Sequence, residues 1–331
     1  MPQSNETIPQ TYPAWTWHSG TEVGDLRCQE IAARPLNSGE VWVKNAAIGL
    51  NPVDWKVLGP ALGWQPGHVP GVDGAGTVVA VADGVPTKLL GQRVAYHQSL
   101  TAHGSYAAYT PIRAEVLMRL PKPLDFTTAA SFPCPGLTAW QAIEKIPAPD
   151  GAALLISGAG GGVGNYLVQY AMARGFTVTV MCNPRHWERL GALGASACIA
   201  GPLPQGQSWQ TGDGSFYAVI DCVSEDHAAR LAPALKANGH LVCIQGRVTE
   251  WPCPPFGRAL SVHEVALGAL HQHGDSADWT QLTADGETLL AYIAVDRLEP
   301  ETQEIRPFAE LPELLEALKH RNFSGKALIR L

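Results

Sequence analysis

The chain has 331 residues, 46% of them hydrophobic and 16% charged, and carries a formal net charge of −7 at pH 7. That balance excludes a disordered chain, and the length allows two domains with large cores. The acidic charge, with basic residues scattered rather than striped, argues against nucleic acid or an anionic membrane as the main partner. No apolar run reaches the length of a membrane span, and residues 1–13 lack the basic-then-apolar pattern of a secretory leader. The seven cysteines, at 28, 134, 182, 198, 222, 243 and 253, are odd in number and widely spaced, several of them in apolar runs. A cytosolic protein with reduced, buried cysteines is expected.

In chain order, residues 22–121 hold short strands punctuated by glycine and proline. Glu40-Val41-Trp42-Val43-Lys44-Asn45-Ala46 alternates in part, Thr77-Val78-Val79-Ala80-Val81 is rich in β-branched residues, and Gly91-Gln92-Arg93-Val94-Ala95-Tyr96 follows a turn. These suggest an antiparallel, barrel-like domain. Pro133, Pro135 and Gly136 mark a break before a helix over 137–146. Residues 152–157, six without a charge, then read as a buried central strand of a parallel sheet.

That strand runs into Gly158-Ala159-Gly160-Gly161-Gly162-Val163-Gly164-Asn165. Glycines there permit a tight turn and the approach of a pyrophosphate to bare backbone. Val163, Leu167 and Ala171 follow at helical spacing, so the turn feeds a helix N-terminus, which favours an anion. Further strands are expected over 177–182, 197–200, 217–223 and 240–244, and helices over 185–193 and 228–237. The alternation means a doubly wound parallel sheet. Beyond it, 274–277 reads as a surface loop, Leu311, Leu314, Leu315 and Leu318 share one helix face, and 327–331 form a last strand.

In folds of this type an acid about twenty positions beyond the turn binds the ribose 2′-hydroxyl of NAD. Here the second strand ends in Cys182-Asn183-Pro184-Arg185-His186, without a carboxylate. Arg185 offers a planar fork to a 2′-phosphate, and Asn183 and His186 offer hydrogen bonds, so NADP(H) is expected over NAD. Arg189 reads as the solvated face of a surface helix.

At this point the sequence resembles a known family, the medium-chain dehydrogenase/reductases, and within it the zinc-independent, quinone-oxidoreductase-like branch that includes enoyl reductases. The matching residues are Gly49-Leu50-Asn51-Pro52-Val53-Asp54-Trp55-Lys56, Pro70-Gly71-Val72-Asp73-Gly74-Ala75-Gly76, Gly91-Gln92-Arg93-Val94, Gly104-Ser105-Tyr106-Ala107 and Gly136-Leu137-Thr138-Ala139. The glycine turn and the ending Phe323-Ser324-Gly325-Lys326 complete the set. The resemblance implies an α/β protein in which a GroES-like, partly open β-barrel carries the catalytic residues. That domain would take 1–132 and 290–331, with a Rossmann-type nucleotide domain over 133–289 inserted.

Zinc-dependent relatives carry Gly-His-Glu where this chain has Gly71-Val72-Asp73, and a ligand cysteine where it has Asn51-Pro52. No Cys-x-x-Cys quartet for a structural zinc occurs either, so no metal is expected. His271-Gln272-His273 and His263-Glu264 lack ligand spacing. His97 and His103 are close enough in sequence to meet in one loop, but such pairs are mostly plain polar surface or cleft residues.

Without a metal, hydride delivery suits an activated alkene or quinone, a small electrophilic acceptor, better than a simple ketone. The resemblance places Asn51 and Thr138 near the nicotinamide and its ribose, and Lys326 near the cofactor. With Gly158, Gly161, Gly162, Val163, Gly164, Asn183, Arg185 and His186 they form the expected cofactor site. Asn51, Asp54, Lys56 and Tyr106 are the catalytic candidates, with His97 a lesser one. Asp54 also fits a helix N-cap. Lys56 stands where some relatives have tyrosine, which makes it a candidate hydrogen-bond donor or proton source. Trp55 and Trp64 flank the same loop.

Two other readings are a zinc-type alcohol dehydrogenase, which the missing ligands contradict, and a cofactor-binding structural or RNA-binding relative, which the acidic charge disfavours. Residues 260–267 mix β-branched and apolar residues and read as a sheet edge covered by a two-fold dimer, with an internal strand or a helix as the alternatives.

Overall fold

A computed structural model describes residues 3–4, 8–147, 149–210 and 214–331. Residues 1, 2 and 5–7 of the polar N-terminal stretch lie outside the described residues. The chain divides into two compact units, one formed by Met1–Cys134 and Gly268–Leu331, the other by Pro135–Leu267.

The first unit opens with β1 (Gln3–Ser4) and an antiparallel pair, β2 (Thr11–Thr16) and β3 (Arg27–Ala32). Then come β4 (Glu40–Gly49), the short α1 (Pro52–Lys56), β5 (Asp73–Val81), β6 (Arg93–His97), β7 (Tyr109–Arg113) and β8 (Leu117–Arg119). β4, β5 and β6 pair antiparallel, with Gly49 opposite Asp73 and Asp73 opposite His97. This register puts the ends of three strands side by side. Gly49 has to be glycine, since an added Cβ would lie 2.2 Å from the carbonyl oxygen of Ala130 in α2 (Phe126–Ser131).

Next is α3 (Pro133–Glu144). The break expected at Pro133, Pro135 and Gly136 is instead the first turn of this helix. Proline suits that position because its missing N–H has no helical partner there and its fixed φ is already helical.

The second unit holds β9 (Ala153–Ser157), α4 (Gly162–Ala173), β10 (Thr177–Cys182), α5 (Trp187–Ala192), β11 (Ala197–Ala200), β12 (Phe216–Asp221), α6 (Glu225–Leu231), β13 (Leu235–Cys243) and β14 (Ser261–Glu264). All six strands are parallel, in the order β11-β10-β9-β12-β13-β14. The strand order reverses direction between β9 and β12, and a doubly wound sheet binds its ligand at that reversal. Pro233 ends the helix expected to reach 237, so a 3-10 turn intervenes and β13 starts at Leu235. Of the forms open to 260–267, edge strand, internal strand or helix, a short strand at the sheet edge is the one adopted, and Val265 just beyond it is buried.

The chain re-enters the first unit through α7 (Leu270–His273) and α8 (Ser276–Ile293), then β15 (Gln303–Pro307), α9 (Leu311–Lys319) and β16 (Lys326–Arg330). The return comes at Gly268, not at 290 as expected, and the stretch read as a loop is the cap of the 18-residue α8. Asp275 accepts the N–H groups of Ala277 and Asp278, and Asp278 accepts that of Asp275. Trp279 is buried, and Arg119 makes a two-point contact with Glu287, at 2.8 and 2.7 Å. β16 lies between β15 and β4 and completes the sheet β15-β16-β4-β5-β6-β8, with β7 on β4 and β1 on β5. Leu311, Leu314 and Leu315 of α9 are fully buried in the core of this unit.

Candidate active site

In the first unit, the facing ends of β4, β5 and β16 gather a buried polar cluster. Asn51 caps α1, and Asp54, three residues on, accepts the Asn51 N–H at 2.7 Å. Asp54 is therefore the return half of a capping box rather than the N-cap itself. Its other oxygen accepts the Val72 N–H at 3.2 Å, which ties α1 to the start of β5.

The Asn51 side chain is held from both sides. Its Nδ2 donates to Asp73 at 2.8 Å, and its Oδ1 accepts from Lys326 Nζ at 2.5 Å. Lys326 Nζ also lies 3.6 Å from Asp73 Oδ2, and the Cys134 N–H reaches both Asp73 oxygens at 3.0 Å. Asn51, Asp54, Asp73 and Lys326 are all buried. In the sequence Asp73 stands out only as the replacement of a zinc ligand. Its signal was a lone charge inside a strand of small and apolar residues, where a buried acid requires a partner.

Burial dominates the titration of these groups. It pushes Asp54 up to about 7 and Asp73 up to about 6, while the Asn51 N–H for Asp54 and the Lys326 ammonium for Asp73 pull the other way. Tyr106 is also buried, and its phenol is raised well above its ordinary value by burial and by the Asp54 charge. The hydroxyl lies close to Asp54, and among the described residues no partner meets it at hydrogen-bonding geometry. Lys56 is exposed at the end of α1, 5.6 Å over the Trp55 ring. Partial burial and then the Arg321 charge lower its pKa.

His97 and His103 do not meet but join two separate histidine contacts. His97, at the end of β6, meets His271 of α7 with 3.2 Å between Nδ1 and Nε2, the rings stacked. His103 instead stacks on His68, which stacks on Trp64, and His103 Nδ1 accepts the Val69 N–H. Among the described residues no group of three or more His, Cys, Asp or Glu side chains is arranged to hold a metal ion. Among them, too, no helix is long and apolar enough to cross a membrane.

In the second unit, the glycine turn joins β9 to α4. Gly158 has φ +66°, a conformation that side chains resist. A Cβ on Gly164 would lie 2.1 Å from the Ala159 carbonyl oxygen, whereas one on Gly161 would meet nothing within 4 Å. Gly161 caps α4 without a side-chain hydrogen bond, and Gly162 and Val163 form the first turn behind it. Bare backbone and a helix N-terminus together make a cradle that fits a pyrophosphate.

Around that turn, Asn183 accepts the Arg185 N–H at 3.0 Å, and Arg185 Nε donates to His186 Nε2 at 3.0 Å. Arg185 and Asn183 are exposed, and His186 is buried against Gly160, where a Cβ would lie 2.5 Å from its ring. Arg189 is no solvated bystander: it donates to Asn165 Oδ1 at 2.5 Å and to the Gly160 carbonyl at 3.0 Å. Thr138 is buried in α3.

At the sheet reversal, Asp221 of β12 accepts from the Ser157 hydroxyl of β9, from the N–H groups of Val223 and Ser224, and meets His227 Nδ1 at 2.5 Å. The Leu203 N–H donates to His227 Nε2 at 3.0 Å, so the ring proton sits on Nδ1 and points at Asp221. Neither Asp221 nor His227 carries a sequence signal for this contact, because their partners come from different strands and loops.

Residues 37–122 match the alcohol dehydrogenase GroES-like domain family. The chain is 33% identical to the chloroplast envelope quinone oxidoreductase homolog of Arabidopsis thaliana over 237 residues, 68% of this chain and 72% of that protein. It is 30% identical to the 2-methylene-furan-3-one reductase of Solanum lycopersicum over 255 residues, 73% of this chain and 64% of that protein. Among solved structures, an alcohol dehydrogenase superfamily protein from Novosphingobium aromaticivorans superposes with a TM-score of 0.83 at 25% identity, covering 97% of this chain and all of that one.

Proposed function

The chain belongs to the medium-chain dehydrogenase/reductase superfamily, in its quinone-oxidoreductase-like branch, and from that premise we propose a metal-independent, NADPH-dependent reductase of activated alkenes or quinones. One observation carries this reading. Asn51, at the position of a zinc-ligand cysteine in zinc-type relatives, is hydrogen-bonded to the buried Lys326 ammonium. A buried ammonium repels a divalent cation, and an amide oxygen held by it is a poor exchange for a thiolate.

The glycine turn 158–164 and the first turn of α4 hold the pyrophosphate. Arg185, with Asn183 and His186, takes the 2′-phosphate that distinguishes NADPH. The resemblance assigns the nicotinamide end to Asn51 and Lys326 of the first unit and to Thr138 of the second. Bound NADPH supplies the hydride. Asp73 and Lys326 grip the Asn51 amide from opposite sides, so its orientation is set before any ligand arrives. Asp54 fixes the turn that carries it, and Lys56 stands at the exposed end of that turn as a hydrogen-bond donor to the acceptor. An acceptor with its own electron-withdrawing group needs no Lewis acid, which favours enones and quinones over simple ketones. We also place the protein in the cytosol, as a dimer joined through the β14 edge, acting on a small molecule rather than on nucleic acid or a membrane.

The test is oxidation of NADPH and NADH against a panel of enones, quinones, aldehydes and ketones, with wild type and Arg185→Ala. Wild type turns over enones or quinones and prefers NADPH; Arg185→Ala loses about 1.5–3 kcal/mol of that preference. Equal use of both cofactors by wild type, or an unchanged preference in the variant, contradicts the cofactor assignment. Turnover confined to aldehydes and ketones contradicts the acceptor class.

A further inference from the structure

Reduction of an activated alkene needs a proton as well as a hydride, and the first unit contains a pair of side chains suited to carry one. His97 is buried at the end of β6, directly opposite Asp73 in the sheet, and near enough to Lys326 for that charge to disfavour its protonation. His271 lies on α7, is partly exposed, and reaches His97 with one ring nitrogen 3.2 Å from another. The rings are stacked at 5.5 Å, and His271 packs in turn on the buried Trp279. The pair thus runs from solvent to the edge of the Asn51–Asp73–Lys326 cluster.

We propose that His271 and His97 form a proton relay that delivers solvent protons to the carbon left anionic by hydride addition, an inference that rests on the reductase reading above. Hydride, carrying two electrons, adds to the electrophilic carbon of the alkene; the carbon–carbon π bond breaks and its electron pair becomes an enolate. The enolate takes the proton from one ring nitrogen of His97. The His271 Nε2–H passes to His97 Nδ1 as the enolate draws the proton from His97 Nε2, and water protonates His271 at Nδ1, which leaves each ring as its other neutral tautomer until ring rotation resets the pair. The oxidised cofactor and the saturated product account for both electrons.

A neutral imidazole can do this because each ring holds one donor and one acceptor nitrogen at a time. Burial, followed by the neighbouring ring and Lys326, pushes His97 down to about 3, and burial with the Arg113 charge pushes His271 down to about 4. The rings therefore stay uncharged at neutral pH and hand the proton on rather than storing it.

The experiment compares wild type with His271→Ala and His271→Phe, each loaded with NADPH and an enone, with and without added imidazole. Cofactor affinity and thermal stability are measured alongside, and so is the hydrogen-bonded imidazole N–H resonance of the cofactor-free protein. The relay predicts that resonance in wild type and its loss in both variants, with cofactor affinity retained. It predicts kcat falling by about 10²-fold, the size of a general-acid contribution, with KM little changed. Imidazole restores His271→Ala, which has a cavity for it, and not His271→Phe. Full activity of His271→Ala overturns the relay, and so does a loss that imidazole does not rescue in a stably folded, cofactor-binding variant. A wild type inert towards every enone and quinone sinks the reductase reading and the relay with it, whereas active wild type beside equally active variants sinks the relay alone.

Discussion

Asp54 and Asp73 sit within one short turn and one strand end, fully buried, and burial raises both above the ordinary carboxyl value. In the unfolded chain they ionise near pH 4. Between there and the folded values, about 7 for Asp54 and about 6 for Asp73, the native chain keeps protons that the unfolded chain has shed. Their contribution is thus fully present below the unfolded value and is lost as pH rises through the folded ones. His68 and His97, both pushed down to about 3 mainly by burial, act in the opposite sense over the acid range. The clean measurement is therefore the difference between wild type and Asp54→Asn in chemical denaturation from pH 4 to pH 8. Wild type should lose on the order of a few kcal/mol relative to the variant across that range, most of it by pH 7. Parallel profiles would mean that Asp54 is not a raised acid.

At the scale of elements, the glycine turn separates two kinds of glycine. Gly164 is fixed by packing, since its Cβ would strike the Ala159 carbonyl, and Gly164→Ala should damage the fold itself. Gly161 faces open space, so Gly161→Ala should leave thermal stability within a few degrees of wild type. On the proposed cofactor site it should nonetheless weaken NADPH binding by about tenfold or more, because the added methyl would stand where that proposal sets the pyrophosphate against backbone. Titration of both variants checks this, and unchanged affinity in Gly161→Ala would remove the pyrophosphate from that spot. This turn was legible because its requirements are local: bare backbone, a preceding apolar strand and a following helix.

Helix α8 was not legible, although Asp275 and Asp278 spell out its cap, because glycine and serine around the cap read equally well as loop. Missing it also misplaced the point where the chain returns to the first unit. Arg189 was misread for a related reason: its spacing fits a solvated face, and only the fold brings Gly160 and Asn165 under it. The His97–His271 contact, 174 positions apart, has no sequence signal at all. Motif residues such as Asn51 and Lys326 could be named from their neighbours in sequence, whereas Asp73 emerges only from who touches it.

For the whole molecule, β14 leaves a free edge on the parallel sheet, and such edges are usually covered. A two-fold dimer through β14 covers both copies at once. Ser261 is the exposed place to test it, since Val265 is buried and a charge there would disrupt the unit. Light scattering should give twice the 35.3 kDa chain mass for wild type, and Ser261→Lys should shift it towards the single-chain value. A wild-type mass of 35.3 kDa at micromolar concentration would end the dimer proposal.

The central claim is hydride delivery to an activated alkene without a metal. Its most direct measurement uses protein stripped by a chelator, NADPH deuterated at the transferring position, and an enone whose product is read by NMR. The account predicts an undiminished rate, with deuterium on the carbon β to the carbonyl and a solvent-derived proton on the α carbon. Deuterium on the carbonyl carbon, or a rate that vanishes on chelation and returns with zinc, would contradict it.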